Sequence, residues 1–301
     1  MKVVFVIWSI MLAVPFAQPL QADSRSWTFS ENNNRIIEAQ RGSGNSRKAG
    51  TIKLTYYGHM AFKITSPEGL EILIDPWRND PSGAWGLWFP QPFPEISIDA
   101  VLSTHAHFDH DAVYRPHSVM VLERLAGELS LGDVKLFGLA DKHVCSAPGW
   151  YEWHLAAREF DQDFCPPRNH LHMDNFVQVI ETGGLRIAHW GDNRPHPARF
   201  VDEALKGVDV LILPVDDSLH LLSEADIDAA IQRYRPKIVI PAHYRMKIVS
   251  SVLTTLGTAE QWVEKQKDVV RMTEPYLFLN PEEIASFDRR VIYFGDVFAR
   301  E

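Results

Sequence analysis

After an apolar run from Val3 to Ala17, broken only by Ser9 and Pro15, the chain stays polar until Gly50. From Thr51 short apolar runs replace that pattern. The stretches Ile52 to Tyr57 and Ala61 to Ile64 alternate apolar with polar positions, and Leu70 to Ile74 follows the turn Pro67-Glu68-Gly69, which predicts three antiparallel strands. Ile98 to Leu102 reads as a buried strand. Ser118 to Glu123 and Val134 to Leu139 read as further strands around a connection that the pattern leaves undefined. Phe176 to Glu181 and Leu185 to Trp190 predict a hairpin through Thr182-Gly183-Gly184. Helix and strand then alternate: Ala198 to Lys206 is amphipathic, Val208 to Leu213 is a buried strand, and Ser223 with Asp226 starts a helix that runs to Tyr234. Lys237 to Ile240 is a strand, Thr258 with Gln261 has the spacing of a capping box, and Val291 to Phe294 is a last strand. Strands first, followed by strand and helix in alternation, argue for sheets with helices outside them.

The first residues change the picture of where the chain works. Met1-Lys2, the apolar run and Gln18-Pro19-Leu20-Gln21-Ala22 have the layout of a secretory signal cut after Ala22, too short for a comfortable membrane span. The expected compartment is periplasmic or secreted, with no stable membrane insertion after cleavage; an uncleaved anchor is the alternative. Residues 23–50 then form a flexible lead-in, and residues 51–301 a single domain. A formal charge of −9 with no basic run argues against nucleic acid as a partner and leaves a small-molecule substrate. Oligomeric state is not legible.

The densest chemistry lies directly after the Ile98 to Leu102 strand, in Ser103-Thr104-His105-Ala106-His107-Phe108-Asp109-His110-Asp111. In extended backbone, residues two apart point the same way, so His105 and His107 can grip one ion as the strand ends. Asp109 and His110 then turn toward a second. A binuclear site needs further donors at strand ends, where a rigid scaffold aims them. Asp192 follows His189-Trp190-Gly191, His243 follows Pro241-Ala242, and His143 follows the strand ending at Leu139.

These residues resemble the T-H-x-H-x-D-H signature of the metallo-β-lactamase superfamily of binuclear metallohydrolases. With Leu54-Thr55-Tyr56-Tyr57-Gly58-His59, Ile74-Asp75-Pro76, His189-Trp190-Gly191-Asp192 and Pro241-Ala242-His243-Tyr244, the chain is similar to the branch of ascorbate-6-phosphate lactonases and, more distantly, N-acyl-phosphatidylethanolamine phospholipase D. The resemblance runs from about Thr51 to Val249. It implies an α/β fold, the four-layer αββα sandwich. It also implies His105, His107 and His143 on one metal, Asp109, His110 and His243 on the other, and Asp192 bridging both. Asp75 would steady the histidines from behind, and Asp109, His110 and Asp192 are the candidate catalytic residues. The implied cofactors are two divalent ions, zinc first and manganese or iron as alternatives. The implied reaction is hydrolysis of an ester or lactone by water activated between the metals. A phosphodiesterase of the same fold, an iron-dependent redox protein and a non-catalytic metal-binding module are the other readings.

The chain departs from this pattern between His143 and Asn175, where an insertion carries His170 and His172 as rivals to His143 for the third histidine of the first metal. Cys145 and Cys165 flank the heart of that insertion. In an oxidising compartment they would bridge and staple it as a flap, the alternative being two free thiols. The aromatic loop with Trp77, Trp85, Trp88 and Phe89 either lines a substrate mouth or packs over the sheet. His59 is a core or supporting histidine, or a substrate contact. His189 is structural, and His117, His154, His196 and His220 lack ligand spacing.

Overall fold

A computed structural model describes residues 45–83, 87–144, 174–216, 221–247 and 256–301. The signal-like segment, Trp85, His154, His170, His172, His220 and both cysteines lie outside the described residues.

The predicted meander forms as β1 (Ile52–Tyr56), β2 (Phe62–Thr65) and β3 (Glu71–Ile74), paired antiparallel. The apolar run after it is β4 (Ser97–Ser103), which adds in parallel beside β3, and β5 (His117–Glu123) adds in parallel beside β4. Tyr276–Leu279 pairs antiparallel with β1, completing a six-stranded sheet.

The second, eight-stranded sheet begins with the hairpin β6 (Gly127–Leu131) and β7 (Val134–Asp141), followed by β8 (Asn175–Thr182) and β9 (Leu185–His189). Gly183 and Gly184 have φ of 56° and 80°, the left-handed pair that a two-residue hairpin turn with matching twist requires. Beyond β9 the sheet becomes parallel through β10 (Val210–Pro214) and β11 (Ile238–Ala242), with every residue of both strands buried. Such continuous burial is expected of strands covered on both faces. The sheet ends on β12 (Val269–Arg271), which lies beside the last strand, β14 (Arg290–Tyr293); the strand on β1, Tyr276–Leu279, is β13.

Helices α1 (Arg199–Leu205), α2 (Glu224–Tyr234), α3 (Glu260–Glu264) and α4 (Pro281–Ile284) connect these strands. Helix α2 starts at the predicted Ser223 cap, which forms a full capping box: the Ser223 side chain accepts from Asp226 N, and Asp226 accepts from the Ser223 backbone. At α3 the expectation is corrected. Its N-cap is Ala259, with no side-chain cap bond, so the Thr258 and Gln261 spacing does not form a capping box.

The main core lies between the sheets, where Ile64, Ile74 and Leu102 of the first join Leu136, Val179, Ile187 and Ile212 of the second. This is a mixed α/β sandwich of two sheets, the class of fold that the resemblance implied. On the outer face of the first sheet a separate cluster packs Trp77, Trp88, Phe89 and Phe93 over Leu73, Ile98 and Val101. Trp77 and Phe89 stack with ring centroids 4.0 Å apart. The described part of the aromatic loop is therefore packing over the sheet rather than an open mouth.

Candidate metal centre

Six strand ends meet at one edge of the sandwich. Asp75 follows β3 with φ of 51°, a left-handed conformation that turns its side chain beneath the end of β4. There its Oδ1 accepts from Thr104 N at 2.7 Å, and its Oδ2 accepts from Thr104 Oγ1 at 2.7 Å. The same Oδ2 lies 2.8 Å from His110 Nδ1. A carboxylate only accepts, so the proton of His110 sits on Nδ1 and its Nε2 faces the centre.

The same logic fixes two more rings. Thr104 has one hydroxyl proton, already given to Asp75, so at 3.0 Å it accepts from His105 Nδ1. His143 Nδ1 donates to Val144 O at 2.6 Å, while its backbone N–H is held by Asp174 Oδ1 at 2.7 Å. Each ring thus turns Nε2 inward. The atoms they face belong to Asp192: Oδ2 is 3.6 Å from His105 Nε2, 3.3 Å from His143 Nε2 and 3.3 Å from His243 Nε2. Asp192 Oδ1 is 3.4 Å from His110 Nε2.

Asp192 is placed by Gly191, whose φ is 59°. A Cβ there would come within 2.7 Å of Asn175 Oδ1 and 2.9 Å of Thr104, so only glycine lets β9 end this close to the loop after β4. Behind it, Asn175 Oδ1 accepts from Asp192 N, Asn175 Nδ2 donates to Asn193, and Asn193 Nδ2 donates to Asp141.

The structure brings together all seven residues expected at the metals. With His59 added, their donor atoms fall into two groups, each within 4.8 Å: His105, His107, His143 and Asp192, and His59, Asp109, His110 and His243. His107 is exposed at the rim, and His143 is half-buried. The others are buried. His189 is bonded to Met60 O at 2.8 Å, with its Nδ1 3.9 Å from Asp75 Oδ2, and His117 and His196 are exposed and belong to neither group. Sequence reasoning left out His59 as a member of the second group, and left out Thr104, Asp141, Asp174, Asn175 and Asn193 behind the donors. Gly58-His59 gave a local signal for the first. Thr104 stood in the T-H-x-H-x-D-H signature, and Asp141, Asp174, Asn175 and Asn193 gave none, since each is defined by a partner distant in the chain.

The electrostatics suit cations. Burial alone would raise the carboxyls of Asp109 and Asp192, yet His110 and the neighbouring imidazoles hold both well below the usual carboxylate range. Burial would lower His243, but Asp192 and Asp109 raise it to about 9. His110 is driven upward against burial by Asp192, Asp109 and Asp75. Protons on these imidazoles balance the carboxylates, as divalent ions would. Buried His105 Nε2, His110 Nε2 and Asp192 Oδ1 have no hydrogen-bond partner among the described residues. Inward lone pairs without partners, on a mixed nitrogen and oxygen donor set, fit divalent metal ions.

A family model described as "Beta-lactamase superfamily domain" matches residues 53–243. A UPF0173 metal-dependent hydrolase of Thermus thermophilus is 31% identical over 209 residues, 64% of this chain and 84% of that protein. The chain belongs to the UPF0173 metal-dependent hydrolases of the β-lactamase superfamily. A UPF0173 relative from Myxococcus xanthus is 27% identical over 207 residues, covering 65% of this chain and 71% of its own. Among solved structures, a Thermotoga maritima protein described as a hydrolase of the metallo-β-lactamase superfamily superposes with a TM-score of 0.56 at 21% identity, over 80% of this chain and 97% of that one. That likeness bears on the fold, and the sandwich described above is the metallo-β-lactamase fold of this UPF0173 member.

Proposed function

We propose that this UPF0173 hydrolase holds two divalent cations, zinc first by its donor set, and cleaves an ester- or lactone-type bond in a small polar or anionic substrate outside the cytoplasm. The observation that carries the reading is the Asp192 carboxylate, whose two oxygens face histidines of both donor groups at 3.3 to 3.6 Å. Cations bound there would supply Lewis acidity and lower the pKa of water into the neutral range. The chain's own residues do the rest. His105, His107, His143 and Asp192 would hold one ion, and Asp109, His110 and His243, with Asp192 between the two groups, would hold the other. The two carboxylates neutralise only part of the charge of two divalent ions, which leaves the centre attractive to an anion. His107, exposed at the rim, marks the side from which substrate arrives.

The resemblance to lactonases supports the choice of bond, and the layout of Met1 to Ala22 supports export. Metal analysis followed by a chromogenic ester, lactone, phosphodiester and β-lactam panel tests the chemistry. The expected result is two ions per chain with ester or lactone turnover that chelation removes and metal restores. Full loading without turnover on any probe would instead make the chain a binding module, and iron with a visible absorption band would make it a redox protein. An N-terminus at Met1 in cytosolic protein would refute export.

A further inference from the structure

We propose that His59 is a positioning residue: it fixes the orientation of the Asp109 carboxylate through its Nε2–H and does not ligate the second cation. This rests on the two-cation reading above and adds a role within it. His59 Nε2 lies 2.9 Å from Asp109 Oδ2, with both side chains buried. An ionised carboxylate has no proton to give, so the hydrogen belongs to His59 Nε2, and a protonated ring nitrogen has no lone pair for a metal. The oxygen it holds is the one that matters: Asp109 Oδ2 is also 3.5 Å from His110 Nε2 and 3.5 Å from His243 Nε2.

The backbone around His59 is arranged to keep the ring there. Gly58 and His59 have φ of 93° and 56°, a left-handed pair at the end of β1. The His59 carbonyl accepts from His243 N at 3.0 Å and from the Tyr56 hydroxyl at 3.3 Å, which ties this turn to the end of β11. The His59 ring lies 4.0 Å from that of His243 and meets Trp88 and Phe89 edge-on at 6.1 and 5.8 Å. At 2% exposure it cannot reach a substrate. The rival role is direct ligation, since its nitrogen falls in the same 4.8 Å group as Asp109, His110 and His243.

The test compares His59→Gln, whose amide N–H reaches about as far as Nε2, with His59→Leu, which has no donor. Both carry the same left-handed strain, so their difference isolates the hydrogen bond. Matched melting temperatures of the two metal-free variants confirm that this is so. Co(II) titration of the full chain, with d–d absorption and X-ray absorption counting of imidazoles, reads the two ions separately. His59→Gln should keep the second Co(II) within about threefold of wild type and with an unchanged imidazole count. His59→Leu should lose about 10 to 100-fold in affinity for that ion alone, the usual effect of removing an outer partner of a ligand. Equal losses in both variants with one imidazole fewer would make His59 a ligand, and no loss in either would make it a bystander; each result overturns the proposal. Wild-type protein that takes up fewer than two Co(II) would overturn the two-cation reading itself.

Discussion

Asp75→Asn offers a nearly isosteric way to remove a proton acceptor from beneath the centre. Asparagine tolerates the left-handed backbone at φ 51° at least as well as aspartate, so the backbone is not strained by the change. The amide oxygen can still accept from Thr104 N. The amide nitrogen that replaces Oδ2 can accept neither from His110 Nδ1, 2.8 Å away across a buried hydrogen bond, nor from Thr104 Oγ1 at 2.7 Å. His110 must either leave that N–H unsatisfied or move its proton to Nε2, where a metal ligand needs the lone pair. A hydrogen bond to a charged partner contributes about 1.5–3 kcal/mol, and about 1.4 kcal/mol is tenfold in affinity. The ion held by His110 should therefore bind about 10 to 100-fold more weakly, while the ion held by His105, His107 and His143, reached only indirectly through the Thr104 hydroxyl, should weaken less. Chelator competition resolving two Zn²⁺ dissociation steps measures this, with circular dichroism to confirm folding. Tight binding of both ions in folded Asp75→Asn would refute the tautomer argument.

Asp192→Ala should lose both ions together and all turnover, because its carboxylate alone faces both donor groups; metal content by elemental analysis checks it, and retention of one full ion would fail it. His143→Ala should lose more metal than His172→Ala, and the reverse ranking would move the third histidine into the insertion. The pH dependence of the metal-free protein follows from His243, raised from 6.5 to about 9. Its contribution is fully present below pH 6.5 and is lost as pH rises through about 9, so the melting temperature should fall across that window. The metal-loaded protein should not show that fall, and calorimetry in buffers of different ionisation heat should detect protons released when metal binds near pH 7.

Most strands were legible because each sheet imposes its own pattern. The alternation in β1 and β2 marks strands with one face more open than the other, and the continuous apolar runs of β10 and β11 mark strands buried on both faces. What escaped was pairing without a local signal. β13 is short and pairs with β1 across more than two hundred residues, and β12 has only three residues, so neither announces itself. The Thr258 and Gln261 spacing failed because the helix starts one residue later than that box needs. The His cluster was legible because its donors are nearly consecutive after one strand. Asn193 and Asp141 were not, since their bond joins residues 52 apart. Composition alone could not say whether Trp77, Trp88 and Phe89 packed inward or lined an opening; they pack on the outer face of the first sheet.

The donors come from both sheets, and this makes the seam between the sheets a determinant of metal binding in its own right. The first sheet supplies His59, Asp75 and the loop from His105 to His110; the second supplies His143, Asp192 and His243. Backbone bonds from His243 N to His59 O and from Phe176 N to Thr104 O cross that seam directly under the donors, at 3.0 and 2.9 Å. Gly191 sets how closely β9 approaches Thr104, with no room for a Cβ. Gly191→Ala touches no metal-facing atom, yet it adds a methyl 2.7 Å from Asn175 Oδ1 and 2.9 Å from Thr104 and imposes φ of 59° on a residue with a side chain. Relief requires Asn175, which holds Asp192 N, and Thr104, and with it His105 and the Asp75 contact, to shift. The expected cost is about 1–3 kcal/mol in urea unfolding of the metal-free protein, the range for a methyl forced into a packed site. Because Thr104 stands behind His105 directly and behind His110 through Asp75, both ions should weaken together. A destabilised variant that nevertheless holds both ions with wild-type affinity would show that each donor group is positioned within its own sheet, and that the seam does not set the site.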